Sequence, residues 1–474
     1  MFRLQFIASL CVLLAVVFGV QAQESHQSPR QSTDEIAKLI ELAEPGSTIV
    51  VPAGFYEGNL QINKPIVLDG QNLVTIDALG KGSVIEIMVG DVTLRGFTIR
   101  GSGLTIDQEP AGVRAVAGPV IIENNHFEDV YFGIDLRPAA DSVIRNNTVI
   151  GMKHKLGRRG DGIRLWWSPN SIIEDNTIDA VRDMVFWYSE DLSVARNRVT
   201  NSRYGLHFMY SHNTILADNE LIENSVGIYL MYSNNITLIG NSIINNRGSS
   251  GYGIGLKDCD AITIKNNALL ANRVGMYIDN SPSSIDSWGI ITGNKIAFNE
   301  IGLLSTPITH DNVITNNAFV ENEEQVTVHG RGQLMLNDFS KDGIGNFWSS
   351  YSGFDKDNDG VGDFPHEPRS LFRSLLARQP NLRIFLHSPA QQAIELTARA
   401  FPELSPEPIF IDASPLTRPP TLDLFVSTQT QSRFPMIVFS VGLLAISCFG
   451  GWLVARQKPL PKITDTDPSQ RAFV

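Results

Sequence analysis

Cysteine is almost absent from this chain: three residues in 474, at positions 11, 259 and 448. Cys11 and Cys448 lie in apolar runs at the two ends, which leaves Cys259 alone between them, so no internal disulfide can stabilise the part in between. Positive charge is also scarce. Lys and Arg number 38 against 50 Asp and Glu, a net charge of -12, which argues against a nucleic-acid partner that would want a basic face. Uncharged runs of membrane-spanning length are missing from the body of the chain as well. Residues 1–22 read as a secretory signal, with Arg3, an apolar core from Phe6 to Val20 and a small-residue cleavage site at Val20-Gln21-Ala22. Residues 434–455 (FPMIVFSVGLLAISCFGGWLVA) carry no charge and are long enough to cross a hydrocarbon core of about 30 Å as a helix. Arg456, Lys458 and Lys462 follow, so a tail of residues 456–474 is expected in the cytoplasm and everything between signal and span on the exported side.

What is abundant is repetition. Asn125, Asn147, Asn176, Asn197, Asn219, Asn241, Asn267, Asn294 and Asn317 recur at spacings of 22, 29, 21, 22, 22, 26, 27 and 23. Short alternating apolar segments and a glycine accompany each, as at Gly205, Gly227 and Gly253. Strands this short in a repeat of about 22 residues leave no room for βαβ units and predict a right-handed parallel β-helix over residues 34–336, an all-β fold. The fixed Asn suits a corner, where it can take bend conformations and bond to the Asn one rung away. Ile36, Leu39, Ile40 and Ala43 lie at helical spacing behind Asp34, so a short capping helix is expected to close the first rung. Residues 24–33 read as loose. Residues 337–404 form an extension with an Asp-rich loop and a helix begun by Ser388 and Pro389, whose apolar stripe is Ile394, Ala398 and Phe401. A Pro-rich linker over 405–433 leads to the span.

Four repeats carry the chemistry: DGIRLWWSPN, RDMVFWYSED, YGLHFMYSHN and VGIYLMYSNN, between Asp161 and Asn235. Stacked, they align Arg164, Val185, His207 and Tyr229 in one outward column, Trp166, Trp187, Met209 and Met231 in the next, and Trp167, Tyr188, Tyr210 and Tyr232 in a third. Ile163, Met184, Leu206, Ile228, Ile254 and Met276 alternate with these and point inward. Rungs lie about 4.8 Å apart, so Met209 and Met231 offer two thioethers with His207 on the same face and His212 at the following corner. Soft thioethers favour Cu(I) over Mg, Ca or Zn. The alternative is a hydrophobic docking patch with an incidental histidine. Trp166, Trp187, Tyr210 and Tyr232 would shield a metal or meet a partner, and the basic loop Lys153, Lys155, Arg158 and Arg159 either steers an acidic partner or a lipid headgroup or is a merely solvated loop. Asp355, Asp357, Asp359 and Asp363 match the carboxylate spacing of a calcium loop, with His366 where an EF-hand would have Glu. An Asp-rich hydrogen-bonded turn fits the same spacing.

β-Helices also process sugars, which needs a close carboxylate pair. Asp258 and Asp279 lie near one column, and Tyr131-Phe132-Gly133-Ile134-Asp135 resembles the start of an alginate-epimerase pattern that then breaks off. The aromatic face carries no stacked carboxylate pair, so a carbohydrate-binding or carbohydrate-modifying β-helix is the second reading.

The Asn repeat ending in GNFWSSYSGFDKDNDGVGDFPHEP, followed by RIFLHSPAQQAIELTARAFP, resembles the NosD family, the periplasmic β-helical maturation proteins of nitrous oxide reductase. The resemblance runs from PGSTIVVPAGFYEG to about residue 415. It implies a periplasmic accessory protein that is not an enzyme. It implies partnership with an ABC transporter permease and ATPase, a copper chaperone and the reductase, in assembling a copper-sulfide centre. A C-terminal membrane anchor is not part of that family pattern.

Overall fold

The computed structural model describes residues 30–421, apart from 387, 402 and 404. The expected signal (1–22), span (434–455) and tail (456–474) lie outside the described residues. Within them no helix is long and apolar enough to cross a membrane.

The chain coils into a right-handed-type parallel β-solenoid of about 13 turns. One face is a row of 12 parallel strands, from Leu60–Ile62 to Glu324–Val328, each paired with the strand one rung away. Two further faces are joined at their corners into the second sheet. Ile163, Met184, Leu206, Ile228, Ile254 and Met276 are all fully buried, and so are Phe186 and Phe208, whose rings stack at 4.5 Å in the core. The period-2 alternation of the sequence therefore places these side chains inside as expected.

The corner asparagines form a continuous ladder. From Asn147 onward each Oδ1 accepts the backbone N–H and the Nδ2 of the Asn one rung before it, as between Asn197 and Asn219 at 3.0 and 3.1 Å, while Asn125 Oδ1 accepts from Phe97 N. The bend itself is not theirs. The left-handed residue is the one before each Asn, such as Asp175, Arg196, Asp218 and Gly240, with φ between 54 and 69°. The ladder Asn thus supplies the hydrogen bonds while its predecessor absorbs the turn. A second ladder, Asn224, Asn246, Asn272, Asn299 and Asn322, runs along another corner. At Gly227 a Cβ would meet the Gly253 carbonyl at 2.6 Å, so only glycine allows the rungs to close there.

Both ends differ from expectation. Arg30–Ser32 is not loose: it is a strand parallel to Phe55–Glu57. Ser32, rather than Asp34, caps the helix Thr33–Leu42, its hydroxyl accepting from Asp34 N. Ile36 and Ile40 from that helix are buried at the edge of the core, so the helix covers the first rung as expected. At the far end the coil passes residue 336. Phe347–Trp348 adds a strand beside Ala318–Val320, and Asn346 extends the first ladder by a step. The ladder ends on Asp412, whose Oδ2 accepts from Asn346 N and Trp348 Nε1, each at 2.8 Å. Phe410 stacks on Phe339 at 4.1 Å and lies 4.9 Å from Trp348. Residues 405–421, expected as part of an extended linker, are therefore in good part a packed seal on the last rung. Their apolar and carboxylate side chains match groups that the coil leaves unpaired. The helix Pro389–Ala400 starts at Ser388 as expected, but Phe401 is 57% exposed and does not join its packed face.

Candidate functional site

The outward columns survive with one slip. Trp166, Trp187, Met209 and Met231 stand in register on adjacent strands, and Lys257 follows Met231. His207 pairs with Val185 on one side and Tyr229 on the other. A bulge before Val185 sets Tyr204, not Gly205, beside Asp183. Simple stacking of the repeats misses this, and with it two neighbours of His207. Periodicity carries no signal of it, because period 2 carried back from the Val185–His207 pair would set Asp183 beside Gly205.

His207 is 7% exposed, and neither ring nitrogen has a hydrogen-bond partner. Its Nδ1 lies 3.8 Å from Asp183 Oδ2, too far for a hydrogen bond. Tyr204 meets the imidazole edge-on at 4.8 Å, Trp187 at 6.0 Å, and Tyr229 flanks it at 6.4 Å. The Tyr229 ring occupies the space a side chain at Gly255 would need, since a Cβ there would meet its Cδ2 at 2.4 Å. Trp187 Nε1 is likewise buried without a partner. Two orphaned nitrogens on one imidazole are unusual in a folded protein, where buried polar groups are normally paired. Met209 and Met231 sit half-buried on the same face. His212 is placed apart, at the corner, where its Nδ1 accepts from Asn234 N at 3.1 Å.

Charges around this pocket are tightly paired. Asp183 is bound by the Arg203 fork and also accepts from Tyr204 N. Burial pushes its carboxyl up, and the adjacent His207 and Arg203 side chains outweigh this, holding it below the usual range. Burial pushes Asp161, one rung earlier, up to about 7 although Arg182 grips it with two 2.9 Å bonds. Arg164, expected on an open face, is buried: it forks onto Asp135 at 2.9 and 3.0 Å and lies 3.9 Å over Phe132. Asp135 is fully buried among Arg114, Arg137 and Arg164 and is not free to act as an acid or base on a sugar. Asp279 pairs in register with Lys257, and Asp258 accepts from Asn280 at 2.6 Å, so these two carboxylates form no stacked pair.

The third column is a stack of parallel rings at the next corner. Trp167–Tyr188, Tyr188–Tyr210 and Tyr210–Tyr232 have centroids 4.8, 5.2 and 5.0 Å apart, and Lys257 Nζ lies 5.8 Å from the last ring. All four residues have φ between 51 and 55°, a region costly for bulky side chains, so stacking and the coil's geometry must hold them there. Tyr210 is exposed and Tyr232 half-buried. In the basic loop Lys153, Lys155 and Arg158 are exposed, and Arg159 bonds to the Asn201 carbonyl at 2.8 Å, close to the start of the His207 strand. Cys259 is buried in a column of serines, its N–H donating to Ser281 Oγ, and burial pushes its thiol up to about 12. That thiol is structural.

Asp355, Asp357 and Asp359 each bring one oxygen within 4.8 Å of the others. Asp363 is not in that group; its Oδ2 accepts from Lys356 N. Asp355 accepts from the N–H groups of Asp359 and Gly360, so the segment is at least a self-bonded turn.

Comparison with known proteins adds the following. Residues 149–353 match the family model described as periplasmic copper-binding protein (NosD). A Pseudomonas aeruginosa protein named probable ABC transporter binding protein NosD is 32% identical, over 78% of this chain and 88% of its own length. A Stutzerimonas stutzeri protein of the same name is 31% identical over 80% and 88%. Among solved structures, the A-module of an Azotobacter vinelandii mannuronan C-5 epimerase aligns with a TM-score of 0.47 at 13% identity, covering 63% of this chain and 91% of that one. At that level the likeness bears on neither substrate nor activity.

Proposed function

From the premise that the chain belongs to the NosD family, we propose that it carries copper in the periplasm as the binding partner of an ABC transporter, without being an enzyme. The copper is Cu(I), received from a copper chaperone and passed on, with or without sulfur, in assembling the copper centre of nitrous oxide reductase. His207, Met209 and Met231 hold it. The observation that carries this reading is the buried His207 imidazole with neither nitrogen hydrogen-bonded, on one face with two thioethers in register. An imidazole and two thioethers form a soft, uncharged donor set, which suits Cu(I) and gives little to Mg, Ca or Zn. Trp187, Tyr204 and Tyr229 keep water from that set, and Asp183 places a negative charge 3.8 Å from one imidazole nitrogen.

Tyr210, Tyr232 and the neighbouring Trp166 supply an aromatic surface beside the ligands where a chaperone or permease would dock. The exposed lysines of the 153–159 loop would meet an acidic partner surface or lipid headgroups. Residues 434–455 would hold the protein at the inner membrane.

The test is competition titration of Cu(I) against a chromogenic chelator, with the full chain and its Met209→Leu/Met231→Leu variant. Leucine keeps volume and packing, so a fall in affinity reports the lost thioethers. Unchanged affinity would remove this site. Copper content of the reductase from a strain lacking this protein tests the role: full loading would sink it.

A further inference from the structure

A cavity of about 390 Å³ lies at the sealed end of the coil, and the copper reading makes no use of it. Its walls include Thr327 on the last strand of the 12-stranded face, the turn Gly330–Arg331–Gly332, and Arg373, Ser374 and Arg378 from the helix Leu371–Arg378. Arg373 is already committed, to Glu324 and the Thr327 hydroxyl. Arg331 and Arg378 have no hydrogen-bond or ion-pair partner among the described residues. Glu407, the carboxylate in the lining, accepts from Gln333 Nε2 at 2.9 Å instead.

The turn is built for its shape. Gly330 and Gly332 have φ of 79 and 152°, and a Cβ on Gly332 would meet Pro307 Cβ at 2.4 Å. Between residues 330 and 333 the backbone N–H groups have no backbone acceptor among the described residues. Unpaired guanidinium groups, free amides and a serine hydroxyl thus converge on one concavity, in a chain whose net charge is -12. The guanidinium groups outnumber the one carboxylate of the lining, Glu407, and a bound anion balances that excess. Guanidinium forks and glycine-turn amides match tetrahedral oxyanions in particular.

We propose that this cavity is a binding site for a phosphate group, held between Arg331 and Arg378 with the Ser374 hydroxyl and the 330–333 amides. The group could be free phosphate or the headgroup of an anionic lipid. The experiment uses the full chain and its Arg331→Gln/Arg378→Gln variant. Inorganic phosphate is titrated calorimetrically and its effect on the thermal midpoint is read at constant ionic strength against chloride. Co-sedimentation with phosphatidylglycerol and with phosphatidylcholine vesicles forms the second arm. Expected is saturable phosphate binding, or phosphatidylglycerol-dependent sedimentation that phosphate competes away, with either response weakened by about tenfold or more in the variant. Phosphate acting alone assigns a free ion; competed sedimentation assigns the headgroup. The proposal is overturned if neither probe exceeds its control, or if the variant responds like the wild type while its circular dichroism is unchanged. The Cu(I) titration of the same variant should match the wild type, so failure here and failure of the copper reading are distinguishable.

Discussion

Replacing His207 by phenylalanine should make the copper-free protein more stable and unable to bind Cu(I) at this site. In the apo state the imidazole presents two buried nitrogens to Trp187, Tyr204 and Tyr229 without a hydrogen bond to either. An unmet buried donor or acceptor costs roughly 1–3 kcal/mol. Phenylalanine fills nearly the same volume, keeps the edge-on ring contacts and has no polar atom to satisfy. Asp183 would keep the Arg203 fork and Tyr204 N but lose the His207 contact that helps hold its carboxyl down. Allowing for that loss and for imperfect fit, the net gain is about 1 kcal/mol. The assay is urea unfolding of wild type and variant in the presence of a strong Cu(I) chelator, comparing midpoints at equal denaturant slope. Cu(I) competition on the same samples supplies the second axis. A variant that is less stable than the wild-type apo protein, or one that still binds Cu(I) as tightly, would refute the reasoning.

Further outcomes follow from other parts of the coil. Asn219 side-chain atoms bond to Val194 O and Asn241 Oδ1 and accept from Asn197 N and Nδ2. Asn219→Ala should therefore cost roughly 3–6 kcal/mol, against less than about 0.5 kcal/mol for exposed Asn234→Ala; equal urea midpoints would contradict the ladder's role. Burial lowers His366 to about 4. Its folded pKa lies below the unfolded value of 6.5, so its contribution is present above pH 6.5 and lost as pH falls towards 4. That loss is at most about 3 kcal/mol, and in His366→Phe the drop in stability between pH 7 and pH 4 should be smaller by that amount; an unchanged drop would contradict it. If the Asp355–Asp359 turn takes calcium, millimolar Ca2+ should raise the thermal midpoint of the full chain. Asp357→Asn/Asp359→Asn should abolish the rise, and magnesium acting equally well would argue for bulk charge screening.

The sequence made the coil legible because its constraint repeats. Asn125 through Asn317 report a corner, and the alternation around Phe186 and Phe208 reports an interior, so period alone orders the rungs. Register was legible only as far as the rungs are equal in length. The bulge between Asp183 and Val185 shifts one strand against the next, and no periodicity predicts that Tyr204 comes beside Asp183. Burial of outward groups was hidden for a similar reason. Arg164 is covered through contacts with Asp135 and Glu109, the second of them 55 residues away. The seal at the far end escaped as well, because Pro415, Pro419 and Pro420 read as a linker while Phe410 and Asp412 fasten that segment to the last rung.

That seal has a consequence for how the molecule is made. Asp412 reaches back 66 residues to complete the ladder at Asn346, so it is synthesised after every rung that it seals. Until then each new rung can settle on the one before it, and the growing end exposes an open strand edge. A chain interrupted anywhere before Phe410 would keep that edge, with Asn346 N and the Trp348 indole lacking their acceptor. Such a fragment would be a template for its own kind and an obvious substrate for periplasmic proteases. Only a chain extended past Asp412 can hide its last rung, which makes synthesis of the seal something the fold itself inspects.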